Sequence, residues 1–167
     1  MTKYIFYDTD ESGNEDYDIC GAHYKQLIHL CCQYCTVFST VVTQPFSEIY
    51  GALKQFEIVK PSNIEIITGQ YGPNGVTRFF YICPELEEVL LKIQGIFDWM
   101  DGWGKHNPMD PTFYREDGSV LFTSTIHDGY CLICPNENEN VEKIITNDHW
   151  KEIDLPPNIW WIPHVNL

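Results

Sequence analysis

At 167 residues, 44% hydrophobic and 14% aromatic, the chain can fold around its own core without metal or disulfides and is too aromatic to stay disordered. It carries 24 acidic against 10 basic side chains, a formal charge of −14. A surface of that sign repels nucleic acid and anionic lipid, so neither is an expected partner, and no apolar run approaches the roughly 18 residues that span a bilayer.

The charge is unevenly spread. Residues 1–18 hold six acids and one Lys, residues 19–83 three acids and four bases, residues 84–118 eight and three, and residues 119–167 seven and two. The acidity therefore belongs to the N-terminal segment and the second half. Met1 to Gly13 meets acids by Asp8 and has no apolar run, so no signal peptide is expected and a cytoplasmic location is the default. Seven cysteines, an odd number, then read as free thiols in a reducing compartment.

In chain order, Lys3 to Asp8 reads as a short strand, followed by an acidic loop over residues 8–18. Tyr24, Leu27, Ile28, Cys31, Tyr34, Cys35 and Phe38 recur at helical spacing, with Asp18 as N-cap. The β-branched run Thr36 to Thr43 predicts that the helix stops near Tyr34 and a strand follows, closed by Pro45. Ser47 to Phe56 predicts a second helix, with Ser47 or Pro45 at its start. Ile64 to Gly69 and Val76 to Cys83 predict a hairpin about Gly72-Pro73-Asn74-Gly75. Pro84, with Glu85, Glu87 and Glu88 behind it, opens a third helix whose carboxylates suit the positive end of its dipole. Residues 95–112 read as irregular. From Phe113 to Cys134 three strands are separated by Asp117-Gly118 and Asp128-Gly129, tight reversals that need positive φ, which predicts a meander. Asn136 to Asn140 caps a short helix through Glu142 to Ile145, and the last segment runs extended through Trp160 and Trp161. The expected fold is α+β: one domain, an antiparallel sheet with the meander in its C-terminal half, and three or four helices.

The chemistry-bearing pairs are mostly better explained by packing. Cys20-x-x-His23 with Cys32-x-x-Cys35, and Cys131-x-x-Cys134, have zinc-ligand residue types. The former overlap a helical core, however, and Cys131 and Cys134 are three apart on a strand, which sends their thiols to opposite faces. His127-Asp128 occupies a turn, where Asp suits the backbone. No phosphate loop, dinucleotide fingerprint, nucleophile elbow or zincin motif is present, so no enzyme, cofactor or metal is expected. An intracellular Cys/His metal-binding protein or enzyme is the alternative.

A binding role rests on acids mixed with aromatics. Asp98, Trp99, Asp101 and Trp103 lie within six residues, and Asp10, Glu11, Glu15 and Asp16 form a second acidic surface. Exposed carboxylates steer a basic partner and indoles anchor it. The stretch Asp110-Pro111-Thr112-Phe113-Tyr114-Arg115-Glu116-Asp117-Gly118-Ser119, continuing through Phe122 to Tyr130, resembles small acidic bacterial immunity proteins of polymorphic or contact-delivered toxin systems. The resemblance implies a one-to-one inhibitor, an antitoxin that occludes a basic cognate toxin domain such as a nuclease, with no family active site to carry over.

Overall fold

The computed structural model describes residues 3–8, 17–67, 75–102, 105–146 and 149–154. Its first strand, β1 (Lys3–Tyr7), leads to helix α1 (Gly21–Tyr34), which buries Tyr24, Leu27, Ile28 and Cys31, the predicted stripe. Asp18 does not cap this helix. Cys20 takes the N-cap position without a side-chain bond, and the Asp18 carboxylate accepts from Phe97 N instead (3.2 Å). The helix ends where Cys35 turns extended, and β2 (Val37–Val42) follows with all six residues buried. Helix α2 (Glu48–Leu53) starts at Ser47, whose Oγ accepts from Tyr50 N at 3.0 Å.

A 3-10 turn over Lys54–Phe56 leads into β3 (Glu57–Ile58). The strand expected from Ile64 is absent over residues 64–67. Ile64 N closes a turn on Pro61 O (3.2 Å), and Lys60 Nζ takes the Ile64 carbonyl that a neighbouring strand would need. The tip of the predicted hairpin lies outside the described residues. β4 (Val76–Tyr81) and α3 (Pro84–Leu90) follow, with Pro84 in the first turn of α3 beside Glu85 and Glu87.

Residues 95–112 are more ordered than their composition suggests. They hold a 3-10 turn (Ile96–Asp98), a ribbon of β5 (Asp101–Gly102) with β6 (Lys105–His106), and the start of β7 (Met109–Tyr114). Pro111 is tolerated in β7 because the register against β2 shifts between Ser39 and Val41. β8 (Val120–Thr125), β9 (Tyr130–Ile133) and β10 (Trp150–Ile153) complete the strands. The turn glycines Gly118 and Gly129 have φ of 86° and 70°. The helix expected over residues 142–145 is only a turn, closed by Ile144 N and Ile145 N on Val141 O.

The main sheet is antiparallel in every pair and runs β10-β1-β9-β8-β7-β2-β4-β3. With three α-helices beside it, the described chain is α+β with the sheet dominant. Phe80, Phe38, Phe113 and Phe122 sit directly opposite one another on successive strands, β4, β2, β7 and β8, and form one aromatic row. That row packs into the same core as Leu27, Ile28, Leu53, Leu86 and Leu90 from the helices. On the other face Val37, Phe79, Tyr114 and Val120 pack with Ile64, and Ile5, Tyr130, Leu132 and Cys134 form a further cluster. No described helix is long and apolar enough to cross a membrane.

Candidate partner-binding end of the sheet

Strand alternation and chain direction bring distant acidic segments to one end of the sheet. β1 stops at Tyr7, and Asp8 N donates to Gly129 O (2.7 Å), beside the His127-Asp128-Gly129 turn. Tyr17 N returns to Asp8 O at 2.5 Å, so the two ends of the acidic loop are pinned together. The chain then runs alongside the segment before the second acidic stretch: Ile96 N donates to Ile19 O (3.1 Å) and Gly21 N to Gln94 O (3.2 Å). Acidic segments about 80 residues apart in sequence therefore leave the core from adjacent backbone.

Two of the carboxylates here, Asp18 and Asp110, accept from backbone N–H groups. Asp8 folds against Gly129 and Asp18 against Gly95, each so closely that a Cβ on the glycine would not fit. The Asp110 carboxylate is buried, its backbone at φ 55°, and accepts from Ile126 N at 2.7 Å. Although Asp18 as a residue is exposed, burial of its carboxylate against Gly95 pushes its pKa above the ordinary aspartate value. The charge of Asp98 pushes the same way, and the backbone N–H of Phe97 offsets only part. A raised carboxylate favours the protonated form in the fold, so ionised Asp18 costs stability once pH rises through its folded pKa. Asp18→Asn keeps an acceptor for Phe97 N and removes the charge. Thermal melts should show it more stable than the parent at neutral pH, by about 1–2 °C for so screened a group, with the gap closing in acid.

Aromatic rings line the same end. Tyr17 stacks on His149 with centroids 3.8 Å apart, and Phe6 meets Phe97, His149 and Trp150 at 6.2, 5.9 and 5.3 Å. Tyr17, Phe97 and His149 are half-buried, leaving part of each ring open beside the carboxylates.

The structure brings the predicted Asp98 to this end and takes Trp99 into the core. Asp98 is half-buried at the site, and its carbonyl accepts from Asn107 Nδ2 (2.9 Å). Asp101 lies on β5 opposite His106. Trp99 is not a surface anchor: it is fully buried, its Nε1–H donates to Tyr24 Oη (3.0 Å), and its ring meets Phe38 edge-on at 5.5 Å. A flat indole with one donor fills that interior gap better than it serves a loop. Trp103, Asp10, Glu11, Glu15 and Asp16 lie outside the described residues. Sequence reasoning missed Tyr17, Phe97 and His149 as the rings that accompany the acids. Each adjoins an acidic residue in sequence, but nothing local says that they meet.

The thiols have other surroundings. All seven cysteines are free. Cys131 packs in the helix-side core and Cys134 in the cluster on the opposite face, as strand alternation requires. Burial pushes the Cys31, Cys35 and Cys131 thiols up, Cys32 to about 12 and Cys134 to about 11, so they stay protonated at neutral pH. Among the described residues no group of three or more His, Cys, Asp or Glu is arranged to hold a metal ion.

At the far end of the sheet, Arg115 makes a closed network. Its Nε and one terminal nitrogen bind the two Glu139 oxygens at 2.6 and 2.5 Å. The remaining donors reach Ser119 Oγ (3.1 Å), Val120 O (2.8 Å) and Cys134 O (2.7 Å), and Asn136 N donates to Glu139 (2.7 Å). This Arg ties the turn after β7 to the exit of β9 and has a structural task. Comparison with protein-family models, with curated proteins and with solved structures finds no match.

Proposed function

We propose that this chain is a small inhibitor of the immunity-protein or antitoxin type, which neutralises a basic toxin domain, a nuclease being the expected class, by occluding it rather than by catalysis. The observation that carries this reading is the convergence of the acidic segments at one end of the sheet. Asp8, Asp18, Asp98 and Asp128 cluster there with the half-open rings of Tyr17, Phe97 and His149. Such an end can take the place of a polyanion in a basic cleft: the charge speeds encounter, and the rings slow release. Burial of the Asp18 carboxylate, with Asp98 nearby, fits a surface kept for binding at some expense in stability.

The test is the rate at which the chain associates with a basic toxin domain, sought among the products of neighbouring genes. Raising ionic strength from ~0.01 to ~0.15 M shortens the screening length from about 30 to about 8 Å, and the on-rate should fall about tenfold or more while the off-rate changes little. An on-rate flat across that range contradicts the proposal.

A further inference from the structure

Among the described residues, the large apolar side chains most open to solvent are Phe46 (91% exposed), Val59 (90%), Ile66, Val76 and Tyr81. All of them fall within residues 44–81, a stretch whose acids, Glu48, Glu57 and Glu65, are matched by Lys54, Lys60 and Arg78. In a chain of −14, that is a local balance of zero. The segment builds the β4–β3 edge of the sheet, the edge opposite β10; its Val76 corner is level with Asp110 and Asp8 but separated from β1 by the strands β9, β8, β7 and β2. β3 pairs with only Phe79 and Phe80 of β4. Val76 lies opposite Val42 on β2, Phe46 follows β2 closely, and Val59 follows β3, so these three share one corner of the edge.

We propose that this neutral, apolar edge is a self-association surface whose occupant is a second copy of the chain, related by a two-fold axis. The charge pattern argues for a copy over a charged partner. A strongly basic protein is drawn to the acidic end, whereas this edge carries both signs in equal number and is self-complementary. The Glu57–Arg78 ion pair (3.0 Å) sits on it with Arg78 partly exposed, and a two-fold can bring each Arg78 to Glu57 of the other copy. Joined here, two molecules bury their most exposed apolar side chains at the edge farthest in strand order from β1 and β10. The remaining repulsion between two net-negative chains is screened by salt, so this association strengthens as salt rises. That is opposite in sign to the toxin binding proposed above. The inference does not rest on that reading, and the two can fail separately.

Sedimentation velocity over a concentration series at low and high salt tests it. The expected result is a monomer–dimer equilibrium that tightens with salt. Phe46→Glu and Val76→Lys should each weaken it about tenfold or more while leaving circular dichroism and melting temperature unchanged, because both side chains are exposed. Should either variant lose its fold, Val59→Lys reads the same corner. A monomer at every concentration and salt, or a dimer indifferent to these substitutions, overturns the proposal.

Discussion

Arg115→Ala should lower the unfolding free energy by about 3–5 kcal/mol, the cost of breaking a buried ion pair from one side. The guanidinium and the Glu139 carboxylate are both buried, with side chains 8% and 5% exposed, and every Arg115 donor has a partner. Removing Arg115 strands Glu139 and leaves the carbonyls of Val120 and Cys134 without their donor. Denaturant titration reads the loss directly. The pH dependence follows from Glu139. Burial alone would raise its pKa, but the hydrogen bonds from Arg115 and Asn136 N, with the Arg115 charge, outweigh it and hold the carboxyl below the ordinary glutamate value. A depressed carboxylate gives stability that is present above its unfolded pKa and is lost as pH falls through the folded one. The gap between parent and variant should therefore narrow below about pH 4. Replacing both partners, Arg115→Met with Glu139→Leu, should cost much less than Arg115→Ala, because no buried charge is left unpaired.

Trp99→Ala should cost a similar ~3–5 kcal/mol, by emptying the space among Tyr24, Phe38 and the helices. Tyr24 Oη accepts from the indole and donates to Leu90 O (2.9 Å), so the cavity also disturbs a buried polar chain. Trp99→Phe keeps most of the volume and should cost only about 1–2 kcal/mol. The conservative variant carries the functional contrast. If Trp99 is core, Trp99→Phe binds a basic partner as the parent does, whereas an interface anchor would lose affinity on the same change.

Legibility in the sequence followed how local each signal was. The stripe of α1, Ser47 at the start of α2, Pro84 at the start of α3 and the Asp-Gly turns were readable because each depends on residues within one or two turns. Trp99 was misplaced because its neighbours Asp98 and Asp101 are polar. What decides its position is a 3-10 turn, closed by Trp99 N on Ile96 O (3.3 Å), and a pocket made by helices elsewhere in the chain. Glu139 sits in Asn-Glu-Asn-Glu-Asn, which looks like a solvated loop until Arg115, 24 residues away, claims it. The acidic end was half legible. Both charge-rich stretches stood out, but only the pairing of residues 17–21 with 94–98 brings Asp18 beside Asp98. Long-range strand order is not written in any local window.

The most direct test of the proposed inhibition is co-expression in cells with a basic toxin domain, sought among the products of neighbouring genes. The parent should restore growth at equimolar expression, and the charge reversals Asp98→Lys and Asp128→Lys together should abolish protection while the folded protein persists. No protection by the parent, or protection untouched by reversing charge at this end of the sheet, would contradict the account.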